Sequence, residues 1–176
     1  MVLRMEVINV AKAMDVADEI ITLAQKENNP VSNLMLQKVM YFLNAVSLLK
    51  RNKPLVSDQN FEKWDYGPVI HSVYSEYSFN GANSILRPVN HQNVIVNDQG
   101  FFEVKNNKFD ENYFKENNPN DYRFIKNNLN LFLNYSSSFL VKKSHQEPQW
   151  ADKTVLDYEN ELTKKYYSNC QNQFWC

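Results

Sequence analysis

This sequence predicts a mainly α-helical, compact domain of about five to six helices with a small β-hairpin insertion. Three observations support that. Apolar residues recur at helical spacing through residues 10–24, 34–46 and 121–135, and only the stretch 94–104 changes to β-branched and aromatic runs about a turn. The 176 residues, 43% hydrophobic and 22% charged, are enough to bury one core. The whole chain, 1–176, therefore reads as a single domain. Its last residues, 168–176, are expected to fray, or to serve through Phe174-Trp175-Cys176 as a docking peptide.

In the first helix Val10, Ala13, Met14, Ala17, Ile21 and Ala24 form one stripe, with Asn9 placed to cap it and Lys26 near its end. Asn28-Asn29-Pro30 breaks the pattern, and Ser32 or Asn33 can cap a second helix reaching about Lys50. Its Leu34, Leu36, Val39, Met40, Tyr41, Phe42, Leu43 and Val46 cover nearly the whole circumference, so it should be central and buried. Gly67-Pro68 is expected to start a third helix, with Ile70, Val73, Tyr74 and Tyr77 on its apolar face and Gly81 at its end. Val94-Ile95-Val96 and Phe101-Phe102-Glu103-Val104 flank Asn97-Asp98-Gln99-Gly100, with glycine where a left-handed residue is wanted: a hairpin. Residues 106–120 read as polar and irregular, and a helix follows from Asp121 to about Tyr135. Ser136-Ser137-Ser138 caps a short helix through Val141, and a last helix is expected from about Lys153 to Tyr167.

The formal net charge of −1 gives no global attraction to nucleic acid or to an anionic membrane, and nucleic-acid partners are not expected. No stretch approaches the roughly 18 apolar residues of a membrane span, and the start, Met1 to Val7, carries an early acid, so a cytoplasmic location is expected. Cys170 and Cys176 match no zinc spacing and read as reduced thiols. The chain has no glycine-rich phosphate loop and no coiled-coil heptads, and neither a metal nor a cofactor is expected.

Some residues stand out for their chemistry. Gln37 and Lys38 sit among apolar neighbours on the helix expected to be buried, so their polar ends need partners. Gln37 is expected to bond the backbone of a nearby loop, and Lys38 either packs or reaches a partner. Trp64, Tyr66, Gly67 and Pro68 read as a packed corner or an exposed aromatic anchor. His145 near Glu147 is the beginning of a general acid–base pair, with Trp150 close by, but no nucleophile motif accompanies it. The plainer reading makes His145 a cap of the helix after Pro148 and packs Trp150 into the core. His71, His91 and His145 are too scattered for a metal motif, so a non-enzyme is expected; the alternative is an enzyme with a His/acid site assembled in space.

Three segments together resemble the Panacea (SocA-like) antitoxin family. Asn33-Leu34-Met35-Leu36-Gln37-Lys38-Val39-Met40-Tyr41-Phe42 is similar to that family's helix motif, and Phe61 to Tyr74 is similar to its Phe-x-x-Trp-x-Tyr-Gly-Pro-Val stretch. Ser144-His145-Gln146-Glu147-Pro148-Gln149-Trp150 is similar to its Ser/Thr-His-x-x-x-Pro-Trp signature. The motif residues carried over are Gln37, Lys38, Tyr41, Trp64, Tyr66, Gly67, Pro68, His145, Pro148 and Trp150. His71 stands where many members have proline, and residues 83–120 and the tail depart from the pattern, so partner choice could differ there.

The resemblance implies a phage-associated or mobile-element protein that neutralises a toxin encoded nearby. It would do so by direct binding or by delivering the toxin to a Clp-type protease; an inhibitor of a host defence protein is the alternative. A partner surface of about 800 Å² per side with aromatic anchors is then expected. The candidate anchors are Tyr74, Tyr77, Phe79, Phe101, Phe102, Tyr113 and Phe114.

Overall fold

The computed structural model describes residues 11–97 and 99–176. Helix α1, Ala13–Lys26, buries Val16, Ala17, Ile20, Ile21 and Ala24. The Asn9 cap and Val10 lie outside the described residues. Asp58, from the segment after the second helix, bonds the Ala13 amide at 2.9 Å and meets one of the first-turn donors that a helix leaves unpaired.

Helix α2, Asn33–Arg51, is the central element. Ser32 caps it by accepting from the Met35 amide at 3.3 Å, and Asn52 ends it in the left-handed conformation, φ 55°. From Met35 to Leu48 every residue is buried, because α2 touches elements on all sides. The all-round apolar pattern anticipates this.

After α2 the chain departs from the helical start expected at Gly67. Glu62–Trp64 (β1) and Gly67–Val69 (β2) pair antiparallel, Trp64 opposite Gly67, and helix α3 begins only at His71, running to Tyr77. Gly67 has φ 86°, a conformation that suits a tight β-turn and not a helix. Ser78–Asn80 adds a 3₁₀ turn, closed by Gly81 at φ 56°.

The hairpin is present and longer than its apolar runs: β3, Asn90–Val96, pairs antiparallel with β4, Phe102–Lys108. Its turn has Gly100 at φ 82°, and the Asn97 side chain accepts from the amides of Gln99 and Phe101.

The stretch read as irregular contains helix α4, Glu111–Asn117. Asp110 caps it by accepting from the Asn112 and Tyr113 amides, the capping role in which short acidic side chains excel. Helix α5, Pro119–Asn128, places proline in its first turn, and the helix expected to run on to Tyr135 divides there, resuming as α6, Asn130–Leu133. Helix α7, Ser137–Ser144, has Ser136 as its cap. A one-turn helix α8, Pro148–Ala151, follows.

The last helix starts later than expected: α9 is Asn160–Ser168. The preceding residues are extended against β1, where Lys63 N donates to Leu156 O and Tyr158 N to Phe61 O, both at 2.7 Å. Backbone pairing there outweighs the local helical spacing. The fraying expected for 168–176 is corrected as well. A 3₁₀ turn at Cys170–Asn172 turns the chain inward, and Phe174 and Trp175 pack on Phe42 and Phe132. Tyr135 OH donates to the Phe174 carbonyl at 3.0 Å. Two large rings remove enough apolar surface from water to hold a chain end that polarity alone would leave free.

The molecule is thus mostly α, with two two-stranded antiparallel sheets, and nearly all of its buried apolar side chains form one contiguous cluster. Among the described residues no helix is long and apolar enough to cross a membrane.

Candidate functional site

The three motif segments converge on one corner, where α2, β2, α7 and α8 meet. Gln37 is fully buried and its Oε1 accepts from the Ile70 amide at 3.0 Å, while its Nε2 donates to Asn33, whose own amide donates to the Tyr74 carbonyl. The loop bond expected of Gln37 is what forms. Buried polar groups are retained when so paired.

Lys38 is also fully buried. Its ammonium donates to the Pro68 carbonyl at 2.6 Å, and no carboxylate stands within ion-pair distance among the described residues. Burial lowers its pKa to about 7, since a charge removed from water without a counter-ion is costly. Gly67 is required here twice over: φ is 86°, and a Cβ would overlap the Ser144 hydroxyl and lie 3.3 Å from the Lys38 nitrogen. The Gly-Pro motif therefore locks α2 to α7 by backbone proximity.

His145 ends α7 and stacks on Trp150, ring centroids 3.7 Å apart and 13° from parallel. This replaces the expected cap of the next helix, whose cap position is Glu147. Burial, then the charge of Lys38, lowers the His145 pKa. Glu147 is buried and saturated: Tyr41 OH donates to one oxygen, and Gln149 at 2.7 Å and Thr163 at 2.9 Å donate to the other. Burial raises its pKa against those donors. Glu147 is thus bonded elsewhere, while His145 stacks on Trp150 with its Nε2 buried and without a hydrogen-bond partner among the described residues, and the acid–base pair suggested by their spacing does not form. Among the described residues no group of three His, Cys, Asp or Glu side chains is arranged to hold a metal ion.

Trp64 satisfies both readings given to it. It is half-buried, donates from Nε1 to Glu62 at 2.8 Å, and packs edge-on against Tyr74 and His71, while Tyr66 beside it is 67% exposed. Pro68 is buried and Pro148 is exposed.

Of the candidate anchors, Tyr77 and Phe114 are corrected: both are core residues, Tyr77 because its hydroxyl is needed inside. It donates to Asp18 at 2.5 Å, and His91 Nε2 meets the other Asp18 oxygen at 2.6 Å. His91 Nδ1 lies 3.4 Å from Glu76, so α1, α3 and the hairpin base are tied by one polar network. The Asp18 bond raises the His91 pKa, and burial raises that of Asp18. Sequence reasoning missed this set; the only signal was an acid, Asp18, flanking an apolar helical stripe. It missed Glu19 too, fully buried with neither carboxylate oxygen bonded and its pKa raised by burial to about 8. Phe79, Phe101, Phe102 and Tyr113 are exposed, as is Tyr74 in part. On the hairpin Val96 pairs with Phe102, and Val104 shares their face by strand alternation; all three are exposed, Phe102 to 83%. Cys170 and Cys176 are exposed and free.

A corner assembled from three separated motifs defines a family by its packing, and comparison with known proteins agrees. The model of the family described as "Antitoxin SocA-like, Panacea domain" matches residues 36–151, and the chain belongs to that family. Among curated proteins it is similar to Antitoxin SocA of Caulobacter vibrioides (strain NA1000 / CB15N), 39% identical over 74 residues. That alignment covers 42% of this chain and 39% of the relative, so the match spans well under half of either protein. No solved structure matches the chain.

Proposed function

We propose that this protein is a binding antitoxin, neutralising by direct contact a toxin encoded beside it. The observation that carries the proposal is the hairpin, whose Val96, Phe101, Phe102 and Val104 face solvent while the motif corner is packed and hydrogen-bonded. A two-stranded hairpin is marginal alone in water, and large rings left uncovered on one are what a partner surface requires. Membership of a family named for an antitoxin supports the kind of partner. Action without catalysis is favoured by the commitments of His145 to Trp150 and of Glu147 to Tyr41, Gln149 and Thr163.

The test is co-expression with the neighbouring gene's product, read by growth and by co-purification. The expected result is a toxic neighbour, rescue by this chain, and a complex that weakens at least about tenfold in the Phe101→Ser/Phe102→Ser double variant. Disappearance of the bound toxin that depends on a Clp-type protease would mark delivery in place of masking. A harmless neighbour that forms no complex would end the antitoxin reading.

A further inference from the structure

Beside the base of the hairpin lies a cleft of about 760 Å³, in the size range of pockets that hold small ligands and peptide side chains. Its walls include Phe79, Leu86, Arg87, Lys108, Phe109 and Glu111. Phe79 is 72% exposed and Leu86 65%, so the apolar part of the cleft is uncovered.

The wall that bears Arg87 is held in place on both sides. Ile85 is buried and its amide donates to the Val31 carbonyl at 2.8 Å, next to a bridge between Ser32 and Ser84. Two residues beyond Arg87, the Val89 amide donates to Tyr77 OH at 3.4 Å. The opposite wall is held through Phe109, which packs on the core ring of Phe114 at 6.0 Å. A surface held this way is formed before anything binds, which reduces the entropy lost on binding.

Its charge is one-sided. Glu111 is already bonded by Lys26 at 2.6 Å and Lys115 at 2.9 Å. The side chains of Arg87 and Lys108 have neither a hydrogen bond nor an ion pair among the described residues. A second cleft, of about 440 Å³, shares Lys108 and Phe109 but is lined by Asp15, Asp110 and the paired Asp18 and His91, so the positive character belongs to the first cleft and not to the whole region.

We propose that the 760 Å³ cleft receives an extended segment of the protein partner carrying a carboxylate beside a bulky apolar side chain. The carboxylate meets Arg87 and Lys108, and the apolar group covers Phe79, Leu86 and Phe109. The proposal rests on the antitoxin reading only in that the partner is a protein. A nucleic acid fits worse, because the net charge is −1 and the acids of the adjoining cleft repel a polyanion.

The full chain, isotopically labelled, is titrated with the capped peptide Gly-Leu-Glu-Phe-Asp-Gly and with its charge-reversed form Gly-Leu-Lys-Phe-Lys-Gly, following amide chemical shifts. The acidic peptide is expected to give saturable shifts at residues 84–89 and 108–109, with a midpoint of about 1 mM. In Arg87→Glu/Lys108→Glu the midpoint should rise about tenfold with the thermal midpoint unchanged, both side chains being exposed. Absence of saturable shifts, equal binding of the charge-reversed peptide, shifts confined to other residues, or stronger displacement by a single-stranded oligonucleotide would each overturn the proposal. In co-expression, a neighbour that co-purifies undiminished with the double variant overturns the cleft and leaves the antitoxin reading standing. A harmless neighbour removes that reading while the peptide titration still decides the cleft.

Discussion

The motif corner and the hairpin are built from the same materials, aromatic rings and charged side chains, and use them in opposite ways. At the corner Gln37, Tyr41 and Glu147 each find partners inside the protein, and Gly67 lets the backbone approach Ser144 closely. On the hairpin and the cleft beside it, Phe101, Phe102 and Phe79 face water, and Arg87 and Lys108 are unpaired among the described residues. The difference separates two demands on a binding protein. A corner whose polar groups are buried and mostly bonded inward preserves the fold, while unmatched groups on a held surface leave something for a partner to match. Motifs that define the family therefore need not mark where the partner sits.

Substitutions on the two sides should separate stability from binding. The largest effect is expected at Gly67→Ala, which adds an overlap with Ser144 to an unfavourable positive φ and should cost about 3 kcal/mol, read as a lower urea midpoint. A loss below about 1 kcal/mol would mean that the corner yields more easily than its packing suggests.

Next comes Lys38→Met, expected to stabilise by about 2 kcal/mol at pH 6, because it removes a buried cation that has one hydrogen bond and no counter-ion. The folded pKa, about 7, lies below the ordinary 10.5, so the folded chain binds fewer protons between those values and stability rises with pH across that window. The advantage of the variant should therefore be full below about pH 7 and fade as pH climbs toward 10.5. Parallel urea melts at pH 6 and pH 10 (on the order of four units apart) test this.

Glu19→Gln should also stabilise, by a smaller amount, about 1 kcal/mol, but with the opposite pH dependence. Its folded pKa of about 8 lies above 4.5, so the folded chain holds the extra proton and stability falls as pH rises from 4.5 through 8. The glutamine variant should match the parent near pH 4.5 and exceed it above pH 8. An identical pH slope in both proteins would show that Glu19 reaches solvent.

The smallest effect on stability is expected on the hairpin. Phe101→Ser/Phe102→Ser should stay within about 0.5 kcal/mol of the parent while losing the co-purified partner. If that pair unfolds the protein instead, the hairpin is part of the core and the contrast between the two regions fails.

How much of this was legible in advance depended on the range of the forces involved. Helical spacing placed α1, α2 and the stretch of α5 and α6, through apolar residues three and four apart. Ser32 and Ser136 marked their helix starts through bonds spanning three residues. The alternating run about Asn97 and Gly100 gave away the hairpin. Residue types and spacing, with the motif resemblance, also singled out Gln37, Lys38, Gly67 and His145. Tertiary contact decided what each of them does. Gly67-Pro68 formed a strand and not a helix start because Lys38 and Ser144 close over it. The residues before α9 extended because β1 offered Phe61 and Lys63 as partners. Phe174 and Trp175 docked because Phe42 and Phe132 lay open to them, while Tyr77 turned inward because its hydroxyl donates to the buried Asp18. Each of these joins residues tens of positions apart, so no local window holds both partners. Sequence alone determined most of the helical segments and which residues carry the family pattern; only the assembled chain decided where those helices begin and end and which aromatic and charged groups remain exposed.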